Sequence, residues 1–393
     1  MDTSVLPATT TTGGRRHGAV VIGAGPGGLA TAAELSRRGV DTVVLDRAST
    51  VASSWRGHYD RLHLHTVRWL SGLPGMAIPR RYGSWVGRAD VVAYLEAYAS
   101  RAELDVRLNT EVTAIERDGS GWRIETSAGD LTADAVVVAT GYNHTPFLPE
   151  WPGIERFSGE LLHASRYRNG SPYAGRDVLV VGAGNSGAEI AVDLVEHGAA
   201  RVRLAVRTPP HVLLRVVGGT PTTLMSVLTR YVPSNVIDPV VKVLQRLTVG
   251  DLTRYGLATP VRGVYERVRT EGSIPILDVG LVQELRAGRV EVVAGVVSFD
   301  GAEIVLTDNS RITPDAVVAA TGYRRGLEPL VGELGLLRGD GLPAVHGART
   351  APHAPGLHFV GYTNPISGMF RELGIDARRI ARAVARTRRS TTV

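Results

Sequence analysis

Two short stretches of the chain share one spacing of glycines. Residues 19–32 read AVVIGAGPGGLATA, and residues 178–191 read VLVVGAGNSGAEIA. In each, a G-x-G-x-x-G turn follows an apolar run and opens a helical one. Gly23, Gly25, Pro26 and Gly28 make the first turn; Gly182, Gly184, Asn185, Ser186 and Gly187 make the second. A turn of this kind holds a dinucleotide. Its first glycine permits the sharp bend, its second lets the backbone approach a pyrophosphate, and its third lets helix and strand pack closely. The helix N-terminus then offers free N–H groups and a partial positive charge to the phosphates.

The two turns differ in what stands at the end of the next strand. TVVLD, residues 42–46, ends in Asp46, at the distance expected of an acid that accepts hydrogen bonds from a ribose diol. RVRLAVR, residues 201–207, ends in Arg207 instead. A cation there suits a 2′-phosphate and favours NADPH over NADH. A chain with two such folds is expected to hold FAD in the first and NADPH in the second, with hydride passing between them. The chain has no cysteine. That excludes disulfides, thiol nucleophiles, Cys-ligated metals and any reductase that works through a cysteine pair beside the flavin. No HExxH is present either, so no metal site is expected.

Local patterns supply the elements that must position these turns. Val20–Ile22 reads as a buried strand, and the helix after it ends near Gly39. The second helix ends near His197, with Gly198 beyond it. A further pair, DAVVVATGY at 134–142 and DAVVAATGY at 315–323, reads as apolar strands that deliver Thr140 and Gly141, and Thr321 and Gly322, to the cofactors. The predicted fold class is α/β, with two nested dinucleotide-binding, Rossmann-like domains. A tail spans 1–16, the FAD-binding domain covers 17–154 and returns at 326–393, and the NADPH-binding domain covers 155–325. A helical insertion at about 209–275 is expected to cover the cleft and line a substrate pocket. Within it, Asp238 is expected to cap a helix with Pro239 at its first position and Gly250 after its end. Val240, Val241, Val243, Leu244 and Leu247 would share one face of that helix. The C-terminal segment DARRIARAVARTRR carries an apolar stripe expected to pack on the FAD domain.

With 393 residues, 44% hydrophobic and 21% charged, the composition is that of a globular chain of two or three domains. The net charge is +6, yet Lys242 is the only lysine. So general a use of arginine reads as coding bias, and no basic cluster interleaves with aromatics, so nucleic acid is not an expected partner. No run approaches the ~18 apolar residues of a membrane helix. Arg15-Arg16 precedes the first strand rather than an export signal, and a cytoplasmic location is expected.

FSGELLHASRY, residues 157–167, adds a more specific signal. Through Phe157, Gly159, His163 and Tyr167 it resembles the F-x-G-x-x-x-H-x-x-x-Y motif of the class B flavin monooxygenases. It continues with Arg168, as in the heteroatom-oxygenating and YUCCA-like branch rather than the Baeyer–Villiger one. SSWRGHYDRLHLHT at 53–66, RADVVAYLEAYA at 88–99, GDLTRYGLATP at 250–260, SIPILDVG at 273–280 and PGLHFVGYTNPISGMFRELGIDARRIA at 355–381 are similar to the plant YUCCA-type enzymes in order and spacing. The resemblance implies a monooxygenase that binds FAD, is reduced by NADPH, captures dioxygen as a flavin 4a-hydroperoxide and gives one oxygen atom to a small organic substrate. Two routes stay open within it: N- or S-oxygenation, or oxidative decarboxylation of a 2-oxo acid such as indole-3-pyruvate. The alternative is an NADPH-dependent flavin reductase that passes electrons to a partner.

The resemblance also assigns residues. Arg47, Trp55 and Arg56 match positions near the FAD, Val112 a backbone contact to adenine, and Gly361 the closing flavin segment. His65-Thr66 stands where animal-type members carry Asn-Thr beside the flavin, so His65 is expected to hydrogen-bond or protonate the reacting oxygen. Arg68 aligns with a lysine and would bind a substrate carboxylate or the nicotinamide phosphates; Arg215 is the other candidate cation. His163 is expected to shape the interdomain turn rather than to do acid–base chemistry.

Overall fold

The computed structural model describes residues 15–391, with side chains described to residue 389. The expected tail at 1–16 therefore lies outside the described residues, Arg15 and Arg16 apart.

The first sheet has parallel strands in the order Asp105–Arg107, Thr42–Leu45, His17–Ile22, Leu131–Val138. His17–Ile22 is buried along its whole length, as a strand covered on both faces must be. The register sets the site: Ile22 lies level with Leu45 on one side and Val138 on the other. The chain therefore leaves all three strands at one edge, where Gly23, Asp46 and Ala139–Thr140 meet. In an open parallel sheet, that carboxyl edge is where ligands bind. An antiparallel pair, Val112–Asp118 and Gly121–Thr126, joins the first half of Leu131–Val138, and Leu357–Phe359 runs parallel to its second half.

Between Val138 and Leu357 the chain builds a second sheet. Its order is Val290–Ala294, Arg201–Val206, Asp177–Val181, Ala316–Ala319, Glu160–His163, parallel throughout. Val181 pairs with Ala205 and Ala319, and Ala319 with His163. Gly182, Arg207 and Ala320–Thr321 thus leave it together, as their counterparts leave the first sheet.

The third glycine of each turn explains how closely helix and strand approach. A Cβ at Gly28 would overlap the Gly23 carbonyl oxygen, and one at Gly187 would overlap that of Gly182. Gly23 and Gly182 have the same φ of 110°, which disfavours any side chain. The helices that follow, Pro26–Ser36 and Asn185–Glu196, begin inside these turns. The C-terminal helix, Met369–Thr391, lays Phe370, Leu373, Ala377, Ile380, Ala381 and Val384 against Leu29, Ala30 and Ala33 of the first helix's cluster. That spacing is the apolar stripe read in the sequence.

The segment 209–275 forms a cap of short strands and three helices, Thr222–Thr229, Ser234–Thr248 and Val264–Glu271. Here one expectation is corrected. The middle helix starts at Ser234 after Pro233, so Asp238 and Pro239 lie inside it. Asp238 does cap a helix, but the next one: its carboxylate accepts the N–H of Tyr265 at 2.7 Å and of Glu266 at 3.0 Å. Val264–Glu271 follows a glycine at its N-terminus, Gly263, which has no side chain to do this. Gly250 does lie just past the helix end, with φ of 76°.

Candidate functional site

Both glycine turns open into one cavity of about 1130 Å³ between the sheets. Single-ligand pockets are commonly ~300–1,000 Å³, so the cavity is roomy for one small molecule. Gly23, Gly25 and Pro26 line one end, with Asp46, Arg47 and Val112; Gly184, Asn185 and Ser186 line the other. Trp55, His65, Thr66, Thr140, Gly141, Gly322 and Gly361 lie along its walls. Gly28, Gly182 and Gly187 stand behind the turns, and Thr321 donates its hydroxyl to the Phe147 carbonyl.

The Asp46 carboxylate ties the first turn together. It accepts the N–H of Ala24 at 2.7 Å and of Ala48 at 2.8 Å while facing the cavity. At the second turn, the Asn185 amide bridges to the cap. It donates to the Pro275 carbonyl at 3.1 Å and accepts the Leu277 N–H at 2.9 Å. These two bonds hold the Asn185 side chain against the cap while the residue lines the cavity. Arg207 is exposed and has no hydrogen bond or ion pair among the described residues.

Arg207 does not line the cavity, and neither do two other expected site residues, Arg56 and Arg68. Arg56 pairs with Glu96 on the surface. Arg68 braces a loop: its guanidinium donates to the Gly83 carbonyl at 2.9 Å and the Ile78 carbonyl at 3.1 Å. A guanidinium committed to two backbone carbonyls in this way is an anchor for the 78–83 turn, not a free cation for a ligand.

His65 does face the cavity, and its partner was not foreseen. Its Nε2 lies 2.5 Å from a carboxylate oxygen of Glu189, which is 3% exposed. The buried Tyr59 hydroxyl stands near Glu189 and Ser186, and burial is the main cause that raises its pKa. The His65–Glu189 contact thus ties the helix that follows the second turn to the first domain, with Tyr59 and Ser186 close by. Arg61 reinforces it with a two-point contact to Glu196, at 2.9 and 2.7 Å. Glu189, Asp193 and Glu196 recur at helical spacing on an otherwise apolar helix, which was the signal available in the sequence.

The motif residues do structural work. His163 Nε2 donates to the Gly322 carbonyl at 3.0 Å, while its Nδ1 accepts the Ser165 N–H at 3.1 Å. That pairing fixes a neutral tautomer, and burial lowers its pKa in the same direction. Tyr167 donates to Asp193 at 2.6 Å within the core. Burial raises the Asp193 pKa, and the Tyr167 bond opposes this. A Tyr167→Phe variant is expected to lose ~1–3 kcal/mol of stability, because a buried acceptor loses its donor. A urea unfolding midpoint unchanged from the parent would contradict this.

A side cavity of about 470 Å³ adjoins the main one, with His63 in the walls of both. It is also lined by Arg61, Trp85, Glu189 and Arg215. The half-buried Arg215 guanidinium lies 4.5 Å above the Trp85 ring and has no hydrogen-bond acceptor among the described residues. Burial is the main cause that lowers its pKa. Among the described residues no group of three His, Asp or Glu is placed to hold a metal ion.

A family model described as "Pyridine nucleotide-disulphide oxidoreductase" matches residues 20–215. The chain is 36% identical over 352 residues to the indole-3-pyruvate monooxygenase YUCCA1 of Oryza sativa subsp. japonica, covering 88% of this chain and 86% of that one. It is 37% identical over 333 residues to the indole-3-pyruvate monooxygenase YUCCA8 of Oryza sativa subsp. indica, covering 81% and 79%. The chain belongs to the YUCCA-type flavin monooxygenases. A flavin-containing monooxygenase from Stenotrophomonas maltophilia matches in structure with a TM-score of 0.71 and 26% identity, over 95% of this chain and 99% of that one. As a YUCCA-type enzyme, the chain is an oxidoreductase that uses FAD and NADPH.

The geometry fits those two groups. A Cβ at Gly25 or Gly184 would meet nothing within 4 Å, so each turn has open space before its helix N-terminus. The first N–H groups of both helices have no intrahelical acceptor and can turn to phosphates there.

Proposed function

We propose that this YUCCA-type enzyme is an oxidative decarboxylase of a small aryl 2-oxo acid, with dioxygen as co-substrate. The observation that carries the reading is Arg215: a half-buried cation without an acceptor, at the wall beside the cleft, stacked on Trp85. A carboxylate supplies the missing acceptor, and a planar guanidinium binds it through two parallel hydrogen bonds. An amine or thioether would leave Arg215 unpaired. The curated relatives named above act on indole-3-pyruvate by name, which supports the same class.

Bound FAD, reduced by NADPH, supplies activated dioxygen, and the chain's residues do the rest. The backbone at Gly25–Gly28 and Asp46 would hold the FAD pyrophosphate and ribose. That assigns segments 17–154 and 326–393 to the FAD and 155–325 to NADPH. Arg207 would hold the 2′-phosphate of NADPH. Glu189 accepts from His65 Nε2 and holds the ring in the cleft wall, where His65 would hydrogen-bond the reacting oxygen. Trp55, against Phe370 at 5.6 Å, Leu213 of the cap and Leu277 just after it give the cleft apolar walls that would limit water. The reading retains a cytoplasmic location; no described helix is long and apolar enough to cross a membrane.

The test is product analysis with NADPH and air. Indole-3-pyruvate should yield carbon dioxide and the acid one carbon shorter. Oxides of added thioethers or amines, without decarboxylation, would replace this reading with heteroatom oxygenation. NADPH consumption that yields only peroxide with every substrate would leave a reductase. Arg207→Ala should raise the KM for NADPH about 10- to 100-fold, from the ~1.5–3 kcal/mol of charged hydrogen bonding it removes. The KM for NADH should hardly move; equal losses for both would remove Arg207 from the 2′-phosphate.

A further inference from the structure

The cap has an outer face that the cleft does not explain. Helix Ser234–Thr248 sets Ile237 and Val241 against Leu213, Val264 and Tyr265. On its other side Val236, Val240, Val243 and Leu247 are 56, 60, 60 and 79% exposed. Positions 236, 240, 243 and 247 form one stripe of a helix, so these side chains stand together rather than singly. Leu228 and Tyr231, at the end of the preceding helix, are 68 and 78% exposed. Scattered exposed apolar residues need no explanation, but a contiguous patch marks an interaction surface.

Charge identifies what covers it. Lys242 and Arg246, four residues apart, flank the stripe, are exposed, and make no ion pair or hydrogen bond among the described residues. Residues 215–275 carry eight basic and four acidic side chains. All four carboxylates are engaged within the cap. Asp238 holds the next helix, Asp251 accepts from Thr253, and Glu266 and Glu271 face Arg262 and Arg267. A second copy of the chain docking about a two-fold axis would bring this cationic face against itself. An anionic surface complements it. An apolar stripe flanked by Lys and Arg is the layout of a helix lying in a lipid interface.

We propose that the outer face of the cap docks the protein peripherally on an anionic lipid bilayer. The inner faces of the same cap line the cleft through Leu213, Thr223 and Ser226. Docking therefore sets the cleft close to the bilayer surface.

Flotation of the purified holoprotein with vesicles tests this. Vesicles of phosphatidylcholine with one-third phosphatidylglycerol should carry the protein upward; phosphatidylcholine alone should carry much less, and salt should reverse the difference. Leu247→Glu should weaken binding about tenfold or more. The pair Lys242→Gln and Arg246→Gln should weaken it roughly fivefold per charge, with the apolar stripe intact. Val297→Glu, an exposed apolar site outside the cap, is the control and should leave binding unchanged. No flotation with the anionic vesicles overturns the proposal. So does a concentration-dependent dimer that Leu247→Glu makes monomeric without lipid binding, which would make the face an interface between copies. Binding that Val297→Glu lowers as much as Leu247→Glu also overturns it.

Discussion

A Gly28→Ala variant is expected to purify without flavin. The added methyl has nowhere to go, because it would overlap the Gly23 carbonyl oxygen, a backbone atom already held at φ 110°. The helix Pro26–Ser36 must therefore retreat from the strand. Crowding of this kind costs ~1–3 kcal/mol in a packed core. The larger loss is functional: the helix N-terminus moves from the position where its N–H groups meet a pyrophosphate. We expect FAD affinity to fall at least ~100-fold, since two or more charge-assisted hydrogen bonds of ~1.5–3 kcal/mol each are misaligned. Gly25→Ala separates the two effects. A Cβ there meets no protein atom and faces the cavity. The apoprotein should melt like the parent while FAD binding weakens, because the methyl occupies the pyrophosphate's space. Apoprotein melting temperature and FAD titration of both variants check the pair. A Gly28→Ala protein with a full complement of flavin would sink the argument.

The contrast between these glycines shows which parts of the site a sequence can carry. A G-x-G-x-x-G turn is a local object: spacing, strand and helix all lie within some fifteen residues, so its geometry follows from the chain itself. Register then aligns Gly23, Asp46 and Thr140 at one sheet edge, because the three parallel strands end level at Ile22, Leu45 and Val138. The C-terminal helix was legible for the same reason, as a stripe at helical spacing.

What the sequence did not carry depends on partners distant in the chain. Asp238 reads as the cap of its own helix because capping rules are local; the structure gives it to the helix 27 residues later. Arg68 reads as a ligand cation because nothing in the sequence says that the Ile78 and Gly83 carbonyls turn back to receive it. Glu189 reads as one acid on a helix, yet 124 residues separate it from the His65 ring it engages. In each case the residue type was visible and the acceptor or donor was not. Polar side chains are assigned by what they satisfy, and satisfaction is a tertiary property.

Arg215→Ala should therefore cost far more than Arg68→Ala, although sequence likeness favoured Arg68. In the Arg215 variant a carboxylate substrate loses its cation and two hydrogen bonds at a half-buried site. At ~1.5–3 kcal/mol for each charged hydrogen bond, kcat/KM for a 2-oxo acid should fall about 10²- to 10³-fold. Arg215→Lys should recover only part of this, because an ammonium cannot offer the two parallel donors or stack on Trp85 in the same way. NADPH-dependent flavin reduction and any residual oxidation of a neutral thioether should change little, since neither presents a carboxylate to the side cavity. Arg68→Ala loosens the 78–83 turn, so its effect should appear in thermal stability and fall equally on acidic and neutral substrates. Steady-state kinetics of the three variants on one 2-oxo acid and one thioether separate these roles. If Arg215→Ala lowers both substrates alike, the guanidinium supports the Trp85 wall rather than the substrate. The carboxylate reading of the site would then lose the observation on which it rests.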